Sequence, residues 1–185
     1  MKLDILVIAA HPDDAELGSG GAIAKSVSQG KKVGVLDLTR GEMGTRGTVE
    51  TRKKEAARSA DILGLSARDN VGLPDGFIAN TRDFQMEIIP YIRKYQPDVV
   101  LANAVSDRHP DHGKASGLVS DSCFLSGLKA LQTSLGDDVQ SHWRPHAVYH
   151  FIQDRYIKPD FIVDVSEFWN VKMEAIRAYE TQFYT

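Results

Sequence analysis

Along the chain, short runs of consecutive aliphatic and β-branched residues alternate with longer stretches in which apolar residues recur every three or four positions. That alternation is the pattern of βα units laid on a parallel sheet, because a strand covered on both faces reads as an almost uninterrupted apolar run. It predicts strands from Asp4 to Ala9, Lys32 to Leu38, about Asp69 to Gly72, Asp98 to Asn103, Ala147 to Ile152 and Phe161 to Val165. Between them it predicts helices from about Ala15 to Gln29, Val49 to Leu63, Asp83 to Tyr95, Lys114 to Leu131 and Glu167 to Gln182. In the third helix Phe84, Ile88 and Ile92 form an apolar stripe, and Pro90 is expected to kink it or move its start. Residues 38–47 and 134–138 read as loops. The architecture implied is α/β, three layers deep (α/β/α), around a mostly parallel sheet.

Composition narrows the class. With 185 residues, 42% hydrophobic and 25% charged, residues 1–185 suit a single compact domain, burying roughly 70% of the surface of the unfolded chain. The last segment, "VKMEAIRAYETQFYT", carries no cap or breaker, so a further C-terminal part is expected beyond it. A formal charge of −3 without a basic tract argues against nucleic acid or an anionic membrane as partner. The N-terminal "ILVIAA" is too short to span a membrane and its flanks do not match a signal peptide, so a cytoplasmic protein is expected. The single cysteine, Cys123, cannot form an internal disulfide and, within "SCFLSGL", is expected to pack as a small hydrophobe.

Two polar clusters stand at strand ends. His11, Asp13 and Asp14 follow the first strand in "AHPDDAELGSGG", and His109, Asp111 and His112 follow the fourth in "RHPDH". In an open, Rossmann-like sheet of order 3-2-1-4, the first and fourth strands flank the crevice where ligands bind, so the clusters would face each other. Imidazole and carboxylate are the ligands of catalytic zinc, which commonly keeps three protein groups and one open position. His11, Asp14 and His112 would make such a set, although spacing alone leaves open which of the two adjacent acids takes the metal. Asp13 would then be the base for a metal-activated water. His109 would donate a hydrogen bond to the oxyanion as a protonated imidazole, with Asp111 fixing its tautomer and raising its pKa.

Two rival readings use the same residues. Gly18 and Gly20 ahead of a helix, with Asp37 nineteen positions beyond Gly18, imitate a dinucleotide fingerprint. The third glycine position is Ile23 and the glycines start too far from the strand, so close packing of helix on sheet explains them better. Two histidines and a carboxylate also form the facial triad of a non-haem Fe(II) site, and these ligand types leave Fe2+ open as the ion. His142, His146 and His150, in a segment running into a strand, read as ordinary residues.

The paired motifs resemble the signature of the PIG-L/LmbE-like zinc-dependent N-deacetylases, and the match continues through "LTRGEMGTRGTVETRKKEA", "PDVVLANAVSDRHPDH" and "KMEAIRAYETQF". Among the branches, the closest looks like the bacillithiol-pathway enzyme that deacetylates N-acetylglucosaminyl-malate. The resemblance implies Zn2+ on His11, Asp14 and His112, with Asp13 as base and His109 supporting the oxyanion. It implies a small-molecule N-acetylglucosaminyl substrate and a homo-oligomer, hexamers being known in the family. It also makes Glu42, Arg46 and Arg52 sugar or malate contacts and places Arg144 near the pocket. Asp107 and Arg108, just ahead of the second motif, are expected to orient it, with Arg108 a further substrate contact.

Overall fold

The structure, a computed structural model, describes residues 1–136 and 138–184. Strands β1 (Ile5–Ala9), β2 (Val33–Thr39), β3 (Ala67–Leu73), β4 (Val99–Ala102) and β7 (Ala147–His150) form a five-stranded sheet in the order β3-β2-β1-β4-β7. Every pairing in it is parallel, and the register sets Ile5 against both Val33 and Val99. Helices α1 (Asp14–Ser28), α2 (Val49–Leu63), α3 (Arg82–Tyr95), α4 (Pro110–Leu125), α5 (Trp169–Arg177) and α6 (Glu180–Phe183) follow in chain order. A small hairpin, β5 (Ser134–Leu135) with β6 (Asp138–Val139), occupies the segment read as a loop, whose residue 137 lies outside the described residues.

The two-faced burial of β1 organises the layers. Leu6 and Ile8 enter one core with Ile88 and Ile92 of α3 and Leu118, Val119 and Cys123 of α4. Val7 and Ala9 enter the other with Ile23 and Ala24 of α1, Leu63 of α2 and Ala175 of α5. Side chains alternate across a strand, so one short run feeds both cores, which is why its sequence is apolar throughout. Chain order reverses beside β1: β2 and β3 lie to one side, β4 and β7 to the other. The crevice above the carboxyl ends of β1 and β4 is therefore the switch point of the sheet.

Local signals set the helix ends. Thr48 and Thr51 form a capping box at the start of α2, and Gly64 closes it in the left-handed conformation at φ 66°. The third helix runs unbroken across Pro90. Beneath the rim, the buried Glu16 accepts from Ser59 (2.7 Å), Arg68 (2.6 Å) and Tyr179 (3.0 Å), tying α1 to α2, β3 and the segment after α5.

Three expectations about elements are corrected. Phe161 to Val165 form no strand, and Ile162 is 84% exposed: the apolar pattern is there, but the segment has no ladder partner among the described residues. The last helix is not continuous from Glu167 to Gln182; it breaks between α5 and α6 at Tyr179, whose hydroxyl is drawn inward to Glu16. The fourth helix begins at Pro110, not Lys114, and ends at Leu125, which places Asp111 and His112 in its first turn.

Candidate active site

Residues 10–13 carry the chain from β1 over the rim of the sheet into α1. Asp13 sits at φ 123°, a conformation that costs a non-glycine residue on the order of 1–3 kcal/mol. Arg52, buried on α2, holds this turn from below, donating to the Pro12 carbonyl at 2.9 Å and approaching Asp13 at 3.5 Å. Across the switch point, His109 caps α4: its Nδ1 accepts from the Asp111 backbone N–H at 3.2 Å, and Pro110 takes the first helical position. With Nδ1 used as an acceptor, the neutral ring carries its proton on Nε2.

The two motifs meet. Asp14 Oδ2 lies 3.3 Å from His11 Nδ1, and Asp14 Oδ1 lies 3.2 Å from His112 Nε2. His11, His109 and His112 also bring ring nitrogens within 4.8 Å of one another. The two rings approach different oxygens of Asp14, so its carboxylate stands between them. The donors are two imidazoles and one carboxylate, a set suited to zinc and to Fe(II). By donor chemistry and proximity His11, Asp14 and His112 suit a divalent ion.

A shell of acids and amides fixes these three. His11 Nε2 faces Asp75 at 3.1 Å and Asp111 at 3.3 Å, and Asp107 bonds His112 Nδ1. Asp111 also accepts from Gly76 N at 2.7 Å and is fully buried. Asp14 accepts from the His11 backbone, Asn103 and Gln153 at 3.0, 3.1 and 2.9 Å. Burial alone would lower the His11 pKa, but hydrogen bonds from its ring to Asp111, Asp14 and Asp75 outweigh it and hold the pKa up at about 12. Burial would likewise raise Asp14, and both histidines override it to keep the carboxylate ionised. Asp13 lacks such partners. Its burial, followed by the neighbouring Asp14 charge, pushes it up to about 8 against the pull of Arg52.

The cleft above this cluster measures about 650 Å³. Of the residues expected in it, His11, Asp13, Asp14, Arg52, Arg108, His109 and His112 line it, with Asp111 in the wall behind His11. Arg108 stands exposed at the mouth, 3.7 Å from Asp154. Glu42 turns its carboxylate inward to Arg40 N and Asp75 N, bracing the loop that carries Asp75. Arg46 accepts from Gln182 on its backbone carbonyl and is not among the residues lining the cleft. Arg144 is not brought to the cleft within this chain: it donates to the Phe124 carbonyl and stacks on the Phe124 ring at 4.2 Å, where its charge keeps an aromatic partner.

The expected service of Asp111 to His109 is also corrected. The carboxylate goes to His11 and Gly76, and the Asp111 backbone N–H fixes the His109 tautomer. Burial, then the charges of His11 and His112, lower the His109 pKa and outweigh the Asp111 charge, which raises it as expected. The glycines after the first motif pack close. A Cβ on Gly18 would lie 2.2 Å from the Phe151 ring, and one on Gly21 2.7 Å from Val165.

Residue reasoning on the motifs missed Asp75, Asn103 and Gln153. Asp75 and Asn103 follow β3 and β4, so attention to every strand end would have found them; Gln153 carried no signal of its own.

The sequence profile described as PIG-L: GlcNAc-PI de-N-acetylase matches residues 6–123. The chain is 34% identical over 189 residues to the diacetylchitobiose deacetylase of Thermococcus kodakarensis, covering 97% of this chain and 70% of that protein. It is 26% identical over 193 residues to the 4-oxalmesaconate hydratase of Pseudomonas putida, covering 96% and 73% respectively. Among solved structures, the conserved protein TT1542 of Thermus thermophilus matches with a TM-score of 0.92 at 40% identity, over 98% of this chain and 80% of that one.

Proposed function

Because the chain belongs to the PIG-L family, we propose that it is a deacetylase that hydrolyses the N-acetyl group of N-acetylglucosamine-type substrates with the help of a divalent ion. The observation that carries this reading is the meeting of His11, Asp14 and His112 around one small volume, with the carboxyl of Asp13 beside them and uncommitted to a ring nitrogen. His11, Asp14 and His112 would hold the ion, Zn2+ or another such as Fe2+. When bound, the ion acidifies water and polarises a carbonyl.

The chain's own groups supply the proton traffic. Water adds its oxygen to the acetyl carbon and gives a proton to Asp13. His109, neutral with Nε2–H exposed to the cleft, donates to the oxygen that becomes negative. When the C–N bond breaks, the amine nitrogen takes a proton and leaves as free amine, with acetate as the second product. Asp13 is the favoured donor, because protonating His109 at Nδ1 would break the cap of α4. Arg52 keeps the Asp13 turn in place through this exchange.

Charge in the cleft bears on the substrate. Outside the proposed ligands its walls carry Asp75, Asp107 and Asp154, facing His11, His112 and Arg108 respectively, and Asp13, which faces Arg52, itself also engaged by Pro12. Each arginine of the lining already has a partner, so a carboxylate-bearing aglycone such as malate would have to compete for one, whereas a neutral amino sugar would not. That favours diacetylchitobiose, the substrate named for the Thermococcus relative, over N-acetylglucosaminyl-malate.

The test is release of primary amine by the Zn2+-loaded protein from diacetylchitobiose, N-acetylglucosaminyl-malate and N-acetylglucosamine, with 4-oxalmesaconate hydration assayed alongside. Amine release, fastest from the disaccharide, is expected. Hydration without amine release would overturn the deacetylase reading, and faster release from the malate conjugate would overturn the charge argument.

A further inference from the structure

The carboxylate of Asp14 is held by a closed ring of three hydrogen bonds. Asn103 Nδ2 donates to Asp14 Oδ2 at 3.1 Å and also to Gln153 Oε1 at 2.9 Å, and Gln153 Nε2 donates to Asp14 Oδ1 at 2.9 Å. Each amide is fixed in its orientation. Asn103 Oδ1 accepts from the Ala10 backbone N–H at 2.8 Å, so its NH2 group must face Asp14 and Gln153. Gln153 receives one of those protons on its oxygen, so its own NH2 must face Asp14. The backbone of Asn103 is anchored too, its carbonyl lying 2.9 Å from His150 Nδ1 at the end of β7.

We propose that Asn103 and Gln153 are positioning residues that act through Asp14: their ring of hydrogen bonds clamps both carboxylate oxygens and, with the His11 backbone N–H also on Oδ2, leaves the free lone pair of Oδ1 facing His112 Nε2, where a divalent ion would be shared with His11 and His112. This rests on the metal-assisted reading of the same site. The motifs place the three ligands but do not orient them, and a carboxylate can turn about its last bond. Two directional donors on opposite oxygens remove that freedom. Gln153 adds a second link. The residues after it, Asp154 and Arg155, donate their backbone N–H groups to Asp107 Oδ1 at 3.2 and 3.0 Å, and Asp107 holds His112. The segment following β7 thus sets two of the three ligands at once.

Gln153 is half-buried and follows a strand end, so its variants should fold, with melting curves as the check; buried Asn103 is the riskier target. Zn2+ affinity is measured by competition with a chromogenic chelator, and the Co2+ absorption spectrum is recorded for wild type, Gln153→Ala and Gln153→Glu. The alanine variant should bind on the order of 10–100-fold more weakly, in line with the loss of an outer partner of a metal ligand. The glutamate variant keeps the size but turns a donor into an acceptor against Asp14, so it should bind more weakly still and shift the Co2+ bands. Glutamate binding as wild type does would show that Gln153 only fills space, and equal affinity in all three would overturn the proposal while leaving the parent reading intact. Failure of the wild-type protein to bind either ion would overturn both.

Discussion

At the scale of single residues, the site separates two adjacent acids by their surroundings. Asp14 is met by two ring nitrogens and three donors, while Asp13, among the described residues, has Arg52 as its side-chain partner at 3.5 Å. The proposed roles of ligand and base rest on those partners, which "PDD" as a string does not distinguish. Asp13→Asn should therefore retain the ion and lose about 10²- to 10⁴-fold in turnover, whereas His11→Ala should lose ion and turnover together. Metal content by elemental analysis beside amine release decides it, and equal metal loss in both variants would make Asp13 a ligand. Cys123 gives a prediction independent of the ion. Its thiol is buried on the core face of α4, and burial pushes its pKa up to about 12. At pH 8, about four units lower, roughly one molecule in ten thousand carries the thiolate. Iodoacetamide should leave the native protein unlabelled over hours and label it fully in guanidinium; rapid native labelling would contradict the packing described.

At the scale of elements, the sequence was most legible where one strand fills both cores. β1, β2 and β4 stand close to their predicted positions because an apolar run with no polar face has few other places to go. The segment from Phe161 to Val165 carries the same composition without being a strand, since pairing depends on a neighbour that local pattern does not reveal. The helix expected from Lys114 starts a turn earlier, because His109 as cap and Pro110 at the first position are themselves a helix start. The motif residues were legible because their chemistry is scarce, whereas Asn103 and Gln153 are common amides whose meaning comes only from facing Asp14. Packing of α1 couples to the site through Phe151, two residues before Gln153, because Gly18 leaves no room beside its ring. Gly18→Ala should cost about 1–3 kcal/mol in chemical denaturation through overpacking. Adding Phe151→Ala should make the glycine substitution nearly neutral, and a full penalty in both backgrounds would place the strain elsewhere.

At the scale of the whole molecule, the proposed ion joins the two halves of the sheet at its switch point. His11 and Asp14 come from the junction of β1 and α1, and His112 from the first turn of α4 beyond β4. These groups are nearly a hundred positions apart in sequence and meet only after β1 and β4 have paired, so the unfolded chain offers no comparable site. An ion that binds only the folded state stabilises it by about 2.7 kcal/mol when free ion stands a hundredfold above its Kd. For a chain of this size each kcal/mol moves Tm by roughly 2–4 °C, so saturation with Zn2+ should raise Tm by roughly 5–10 °C over the chelator-treated protein. His112→Ala should abolish that response, while Asp13→Asn should keep it, since Asp13 lies outside the proposed set. Melting curves with EDTA, with restored Zn2+ and across these two variants separate an ion held between β1 and α4 from one bound adventitiously at the surface. An undiminished rise in His112→Ala would mean that the stabilising ion sits somewhere other than where these three residues converge.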